Sequence, residues 1–325
     1  MLTCPMCGDA VAAEDFFCEH CGHGLRSTGH GAHPAGGAGA TGPADGMRRR
    51  APADHSELRV GRAAGVSDRG LRHEYNEDAM AVRVVGAAAD AAAGPAATVA
   101  AVVCDGVSTS PRPEAAAGTA AQSGCAALTE RLEGGADTAA ALGAAVRRAD
   151  HDVAALAPSA AAAPACTFLA AAVPPRGPLG VGWVGDSRAY WVSASARSAP
   201  SAQLTSDDSW SAAMVAMSLL SPEEAARSPR AHALTAWLGA DYGGTAGRVA
   251  TFDPGGAGSL VLCSDGLWNL VPDPVELAAL VRGGGPDPLA AARSCVRFAL
   301  ERGGHDNVTV VVVTVPGGTA QGVAP

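Results

Sequence analysis

Apolar residues in the chain follow two patterns, short continuous runs typical of buried strands and longer periodic stretches typical of helices. The run from Val308 to Val315 has Val at six of eight positions and Thr at the other two, which predicts a core strand. It directly follows His305, Asp306 and Asn307, so an ionisable group stands at the start of this strand. Similar apolar runs that end in polar steps predict further buried strands in TVAAVVCDG, PLGVGWVGDS, RAYWVS and SLVLCSDG.

The helical segments occur in pairs. The stretches PEAAAGTAAQSGCAALTERLEGG and DTAAALGAAVRRADHDVAALA predict one helix pair, and PDPVELAALVRGG with DPLAAARSCVRFALERGG predicts a second. Ser221, Pro222 and Glu224 carry the capping-box and N1-proline signals of another helix start. Because helices fall in pairs between runs of strands, rather than one at each crossover, the pattern favours a layered sandwich over a doubly wound parallel sheet.

A small module with four cysteines precedes this region. Two Cys-x-x-Cys pairs, each followed by Gly, supply four thiolates at the spacing of a tetrahedral zinc site, formed by Cys4, Cys7, Cys18 and Cys21. A redox pair is the alternative, but thioredoxin-like motifs occur singly within a larger fold. The segment resembles the short zinc ribbons common at bacterial N-termini. His20 and His23 lie near enough to compete as ligands, or are solvated bystanders.

The segment after the ribbon is rich in Gly, Ala, Pro, His and Arg and shows no periodicity, which predicts a flexible linker. The expected domain organisation is a zinc ribbon at 1–23, a linker at 24–56, the large domain at 57–316 and a disordered tail at 317–325.

Composition narrows the possible functions. The chain of 325 residues has no Lys, which excludes a P-loop, a kinase with its strand lysine and Schiff-base chemistry. A formal net charge of −9 argues against broad nucleic-acid binding. We found no apolar window suited to a membrane span and no hydrophobic signal region, so a cytoplasmic protein is expected. The cysteines outside the ribbon are expected to be buried and reduced: Cys104, Cys125, Cys166, Cys263 and Cys295.

Acidic residues follow or precede several of the predicted strands. They stand in the segments NED, CDGV, VGDSRAY, CSDGLW and GHDN. Each alone also fits an ordinary turn. If the strands lie side by side, however, two carboxylates about 5 Å apart repel by about 3 kcal/mol, and the group requires cations to remain ionised. Oxygen ligands favour Mg²⁺ or Mn²⁺ over zinc, and two such ions can activate a water for phosphoester hydrolysis.

These motifs resemble those of the metal-dependent type 2C (PPM) serine/threonine protein phosphatases. The resemblance covers about Val60 to Val315 and rests on SDRGLRHEYNED, VCDGV, VGDSRAY, LTSDDSW, LCSDGLW and GGHDNVTVVVV, which occur in the family's order and approximate spacing. It implies an α+β fold, a four-layer α-β-β-α sandwich. It also implies hydrolysis of phosphoserine and phosphothreonine in proteins, with two or three Mn²⁺ or Mg²⁺ ions.

The resemblance also implies roles for individual residues. Asp105 would bridge two metal ions and the Gly106 carbonyl would bind one of them. Asp265 and Asp306 would complete the second site, and Asp186 would hold a third ion together with Asp265. Two further residues would orient metal-bound waters, Glu77 and Asp78. Asn307 would anchor its loop, and Arg188 would form a structural ion pair.

Three positions depart from the family pattern. His73 stands where the family has a phosphate-binding arginine, and Arg72 beside it is the alternative phosphate ligand. The Gly-rich turn after Asp-Gly is replaced by 107–111, Val-Ser-Thr-Ser-Pro. Asp208 replaces the His of the LTxDHS motif. None of these changes removes a direct metal ligand, so an active enzyme is expected.

The leading hypothesis is a protein phosphatase that counteracts Ser/Thr kinases in a bacterium. Its partners would be phosphorylated proteins and their kinases, with the ribbon as a protein-contact module. The alternative is a catalytically weak phosphatase-like module that binds phosphoproteins, suggested by His73 and the altered loop. A nucleic-acid-associated regulator is a third possibility, but the acidic net charge and the few basic residues of the ribbon oppose it.

Overall fold

Two antiparallel sheets form the centre of the large domain. The computed structural model describes residues 2–3, 10–11, 54–85, 97–194, 199–242 and 247–317. Its strands are β1 (Leu2–Thr3), β2 (Ala10–Val11), β3 (His55–Val60), β4 (Ala63–Asp68), β5 (Ala79–Val84), β6 (Val99–Cys104), β7 (Phe168–Val173), β8 (Leu179–Val184), β9 (Arg188–Ser193), β10 (Ala202–Gln203), β11 (Arg248–Phe252), β12 (Gly258–Cys263) and β13 (Val308–Val315). The first sheet has six strands in the order β10-β9-β12-β13-β4-β3, and the second has five in the order β11-β8-β7-β6-β5.

The valine-rich strand lies inside the six-stranded sheet. β13 pairs with β12 on one side and with β4 on the other, so Val310 faces both Cys263 and Val66. An interior strand covered on both faces needs apolar side chains in both directions, which explains the unbroken run. Of its eight residues, Thr314 alone is partly exposed.

Helices cover the outer faces of both sheets. The helices are α1 (Pro113–Glu133), α2 (Thr138–Ala154), α3 (Trp210–Ala216), α4 (Pro222–Ala226), α5 (Asp265–Trp268), α6 (Pro274–Gly283) and α7 (Pro288–Glu301), with a 3-10 turn at Ala160–Ala162. α1 and α2 pack on the five-stranded sheet, and α6 and α7 pack on the six-stranded sheet. This arrangement confirms the predicted sandwich and both predicted helix pairs.

The hydrophobic core consists of three layers. In β6, Val99, Ala101 and Val103 face the other sheet. The alternate residues of the same strand, among them Ala100 and Val102, face α1 and α2. A third layer lies between the six-stranded sheet and α6 with α7. Since both faces of each sheet are buried, the central strands are held rigidly, and the residues at their ends are held with them.

The helix starts follow their sequence signals. Asp137, Asp273 and Asp287 each accept backbone N–H groups at the first turn of α2, α6 and α7. Ser221 forms the predicted capping box with Glu224 at the start of α4. Each such cap stabilises its helix by about 0.5–2 kcal/mol.

The predicted end of the linker differs from the structure. β3 begins at His55, inside the segment 24–56 that was predicted to be linker. Its side chains alternate between exposed and half-buried, as expected of an edge strand, and this weak polar alternation was missed in the sequence. The predicted zinc ligands and the remaining linker lie outside the described residues, although β1 and β2 pair antiparallel on either side of the first cysteine pair.

The Ala-rich segment at 157–175 contains β7, which is completely buried between β6 and β8. Of the helices in the described ranges, none has the length and apolar character needed to cross a bilayer.

Close packing of α1 on the five-stranded sheet can be tested at Gly124. A Cβ at this position would overlap the ring of Phe168, which is completely buried. We expect Gly124→Ala to destabilise the protein, because overpacking costs about 1–3 kcal/mol and exceeds the gain in helix propensity. Gly118→Ala in the same helix is the matched control, since its Cβ meets nothing within 4 Å. It should be neutral or stabilising by about 0.5–1 kcal/mol in urea unfolding. Equal stability changes for the two variants would contradict this packing.

Candidate active site

Four aspartates line one cleft at an end of the two sheets. Asp105 directly follows β6, Asp265 follows β12, and Asp306 precedes β13. Asp186 lies in the turn between β8 and β9. Because β12 and β13 are antiparallel neighbours, the end of one and the start of the other lie at the same edge. All four line a cleft of about 470 Å³, and so the structure brings together the predicted metal-binding aspartates.

Burial and mutual repulsion dominate the electrostatics of this cleft. Burial, followed by the charges of the neighbouring aspartates, raises the pKa values of Asp105 and Asp265 well above the usual range. Burial and then the charge of Asp207 raise the pKa of Asp186 to about 7. These carboxyl groups carry full negative charge at neutral pH only where a cation compensates them.

The donor set is consistent with divalent metal ions. Asp78 is buried beside the aspartates, and its Oδ1 has no hydrogen-bond partner among the described residues. An all-carboxylate set suits Mg²⁺ or Mn²⁺, which prefer oxygen ligands. In the described ranges, no three His, Cys, Asp or Glu side chains already converge into a ligand set. The carboxylates therefore line one cleft, but their oxygen atoms are not yet as close together as the ligands of one metal ion.

Two glycines allow the close backbone approaches that the cleft requires. A Cβ at Gly106 would come within 2.8 Å of the Glu77 carbonyl oxygen and of Pro113. A Cβ at Gly266 would overlap the carbonyl oxygen of Asn307. Gly266 thus lets α5 approach the start of β13, which brings Asp265 next to Asp306.

Glu77 and Asp78 are each held by a serine that the sequence analysis did not identify. Ser108 donates a hydrogen bond of 2.6 Å to Glu77 Oε2, and Ser264 donates one of 2.7 Å to Asp78 Oδ2. Burial raises the pKa of Glu77 despite its hydrogen bond to Ser108, and burial raises that of Asp78 to about 6. The two serines lie within two residues of the Asp-Gly motifs in sequence. This closeness to the motifs is the signal from which they could have been identified.

Asn307 links the start of β13 to the loop before β5. Its side chain donates to the carbonyl groups of Arg69 and Tyr75, at 2.7 and 3.1 Å, and accepts the backbone N–H of Glu77 at 2.7 Å. Since Asn307 is buried, these three hydrogen bonds fix Glu77 relative to Asp306. Asn307 therefore anchors the loop as expected.

His73, and not Arg72, contacts the aspartates. His73 Nε2 lies 3.1 Å from Asp306 Oδ1, and its side chain is only 13% exposed. Arg72 is exposed. Burial lowers the pKa of His73, but the hydrogen bond and charge of Asp306, with nearby carboxylates, raise it overall above its ordinary value.

Arg188 forms the expected ion pair and does not line the cleft. Its guanidinium lies 2.7 Å from Asp207 and stacks 3.5 Å over the ring of Trp268. Both side chains of the ion pair are largely buried. The pair joins the start of β9 to the segment after β10, beside the turn that carries Asp186.

Asp208, which replaces a histidine of the family pattern, has its own partners here. Its carboxylate pairs with Arg248 of β11 and accepts the backbone N–H of Gly185 at 3.0 Å. The backbone N–H of Asp208 also donates to the Gly185 carbonyl at 2.9 Å. The substitution thus keeps a hydrogen-bonding residue on the turn before Asp186.

A two-sheet sandwich with a carboxylate-lined cleft at one edge is typical of a class of metal-dependent phosphatases. Comparison of the chain with known protein families points to the same class. The family model "Protein phosphatase 2C" matches residues 73–283. The chain therefore belongs to the protein phosphatase 2C family.

Curated relatives match over part of their length. The chain is 35% identical over 138 residues to the serine/threonine protein phosphatase PstP of Mycobacterium tuberculosis, which is 42% of this chain and 25% of the relative. It is 46% identical over 54 residues to the probable protein phosphatase 2C 76 of Arabidopsis thaliana, which is 17% of this chain and 12% of that protein. The chain thus spans at most about a quarter of the length of these relatives.

Solved structures match almost the whole large domain. The M. tuberculosis PstP/Ppp phosphatase superposes with a TM-score of 0.62 at 28% identity, over 78% of this chain and 98% of that one. The PstP catalytic domain in complex with two manganese ions gives 0.59 at 28%, with the same coverage. The PPM Ser-Thr phosphatase MsPP of Mycobacterium smegmatis gives 0.61 at 29%, over 79% of this chain and 100% of that one. The four-layer sandwich is therefore the fold of this family.

Proposed function

We propose that the protein hydrolyses phosphoserine and phosphothreonine monoesters in proteins at a binuclear Mn²⁺ or Mg²⁺ centre. The observation that carries this proposal is the meeting of Asp105, Asp186, Asp265 and Asp306 in one cleft of a protein phosphatase 2C domain. The two manganese ions in the related PstP catalytic domain support the same metal chemistry.

The proposed ligands follow the motif positions. Asp105, the Gly106 carbonyl, Asp265 and Asp306 would hold two of the ions, and Asp186 with Asp265 would hold a third. When bound, such ions neutralise the buried carboxylates, lower the pKa of a water molecule and polarise the phosphoryl group.

The remaining residues of the site act on water and on the phosphate. Glu77 and Asp78, which lie behind the residues that line the cleft, would orient water molecules at the metal centre, and Ser108 and Ser264 hold these two carboxylates in place. His73 binds the phosphate from the side of Asp306, since its Nε2 lies 3.1 Å from Asp306 Oδ1. An imidazolium in this position donates to the phosphate and adds positive charge.

A second candidate function is a catalytically weak module that binds phosphoproteins. The contact between His73 and Asp306 favours it, because a histidine engaged by a carboxylate has less capacity for phosphate. The altered loop at 107–111 also lines the cleft. In this case phosphopeptides bind in the presence of Mn²⁺ but turn over very slowly.

We further propose that the partners are phosphorylated proteins and their Ser/Thr kinases, and that the N-terminal segment is a zinc ribbon that contacts proteins. A reducing compartment such as the cytoplasm suits the five free cysteines, all of them buried in the domain.

Loss of one carboxylate should remove metal-dependent hydrolysis. We expect Asp105→Asn and Asp265→Asn to lower Mn²⁺-dependent hydrolysis of p-nitrophenyl phosphate more than about 100-fold, since even outer partners of a metal ligand are worth about 10- to 100-fold. Asp253→Asn, which removes an exposed charge in the loop before β12, is the control. Wild-type turnover that continues undiminished in EDTA would exclude the mechanism.

The phosphate contact can be assigned by comparing two neighbouring residues. We expect His73→Ala to raise KM for a phosphothreonine peptide about tenfold, because a charge-assisted hydrogen bond is worth about 1.5–3 kcal/mol. Arg72→Ala should change KM little, and His73→Arg should lower it at pH 8, since guanidinium stays charged and binds phosphate bidentately. Mn²⁺ titrations of the same variants separate this effect from weaker metal binding. A large KM increase in Arg72→Ala alone would reverse the assignment.

The N-terminal cysteines should bind zinc. Elemental analysis of the full-length protein should find one tightly bound zinc, and Cys4→Ser or Cys18→Ser should remove it, because each thiolate is one of four ligands. Cys125→Ala, at a completely buried position in α1, should keep the zinc. Deletion of residues 1–50 should leave hydrolysis of small substrates nearly intact. Full-length protein without zinc would disprove the ribbon.

A further inference from the structure

The lining of the cleft includes an aromatic and an acidic residue besides the four aspartates. Trp237 and Asp241, between α4 and β11, line the same cleft as Asp105 and Asp265. Trp237 Nε1 donates a hydrogen bond of 3.0 Å to Asp241 Oδ1. The Trp237 ring also packs against Tyr242, with ring centroids 4.9 Å apart at an angle of 52°. We call these three residues the aromatic-acidic wall.

Asp241 has no cationic partner among the residues that the structure describes. Asp241 is exposed, and its Oδ2 has neither a hydrogen bond nor an ion pair within the described part of the chain. Among the described residues that line the cleft, His232 is the one basic side chain, against five aspartates. Metal ions would neutralise four of these aspartates, and Asp241 lies outside that proposed ligand set. Asp241 therefore still adds a negative charge to the aromatic-acidic wall when metal ions occupy the other four aspartates.

At another position in the fold, a guanidinium contacts the same two chemical groups, an indole ring and a carboxylate. Arg188 stacks 3.5 Å over the ring of Trp268 and forms an ion pair of 2.7 Å with Asp207. Trp237 and Asp241 offer the same combination of indole face and carboxylate, but none of the described cationic side chains lies over Trp237. An aromatic face and a carboxylate together attract a cation more strongly than either alone.

We propose that the aromatic-acidic wall binds the basic side chain, Arg or Lys, of a phosphoprotein substrate close to the phosphorylated residue. This inference rests on the proposed phosphatase function and adds a substrate preference to it. The cation lies against the indole of Trp237 and pairs with Asp241, while the phosphate binds at the metal-binding aspartates of the same cleft. Tyr242 packs against the Trp237 ring, and this contact limits the rotamers of the indole.

The test compares phosphothreonine peptides that differ in one side chain. Full-length protein with Mn²⁺ is assayed on peptides with an Ala background and a single Arg moved through the positions around the phosphothreonine. We expect kcat/KM for at least one Arg position to exceed that of the Ala peptide by about fivefold, from a partly exposed ion pair and a cation–π contact. In Asp241→Asn, which keeps the acceptor for Trp237, the ratio of Arg to Ala peptide should fall to about one.

Charge reversal provides the sharper test. In Asp241→Arg, the peptide with Glu at the preferred position should become a better substrate than the Arg peptide. Glu223→Gln is the matched control, because Glu223 is exposed in the first turn of α4 and does not line the cleft. Its Arg-to-Ala ratio should equal that of the wild type.

Failure of this inference differs from failure of the proposed function. Equal kcat/KM for Arg and Ala peptides in the wild-type protein, or an Arg preference that persists in both Asp241 variants, would overturn the aromatic-acidic wall while Mn²⁺-dependent hydrolysis continues. Absence of Mn²⁺-dependent hydrolysis of every phosphopeptide and of p-nitrophenyl phosphate would instead overturn the phosphatase function.

Discussion

Repulsion between buried carboxylates is the constraint on which the rest of this structure depends. Asp78, Asp105, Asp186 and Asp265 are held where burial and then the charges of neighbouring aspartates raise their pKa values. A pair of such charges about 5 Å apart costs about 3 kcal/mol at an effective dielectric constant near 20. The folded domain must supply this free energy from elsewhere, and metal ions recover it when they bind. The same repulsion that opposes folding thus favours divalent cations.

The sandwich meets this cost through rigid strands. The three apolar layers bury both faces of each sheet, so the ends of β6, β12 and β13 cannot separate without disrupting the core. Shorter-range contacts then adjust the cleft: Asn307 ties the loop before β5 to β13, and Gly266 lets α5 approach closely. Apolar packing therefore supplies the stability of the domain, and hydrogen bonds set the positions of the acidic side chains.

The residues at the three positions that depart from the family pattern each make a defined polar contact in the structure. His73 contacts Asp306, Ser108 of the altered loop holds Glu77, and Asp208 pairs with Arg248 beside the turn of Asp186. His73 and Ser108 thus keep polar contacts with the acidic residues Asp306 and Glu77, and Asp208 keeps one beside the turn that carries Asp186. The cleft is also lined by Trp237 and Asp241, which add an aromatic ring and a further carboxylate to the four aspartates.

The sequence by itself determined those elements whose local signals are strong. Valine-rich β13, the helix pairs and the capping box at Ser221 were predicted correctly, because apolar periodicity and capping chemistry are local properties. The aspartates at the strand ends were recognisable by motif. β4 and β7 were not predicted, since AAGVSD and FLAAAV are rich in Ala and Gly, which favour strands weakly, and long-range pairing decides their structure. Only the tertiary structure could turn His73 rather than Arg72 toward Asp306, and only it could bring Ser108 to Glu77 and Asp241 to the cleft. Such contacts join residues far apart in sequence, and their geometry depends on how the two sheets pack.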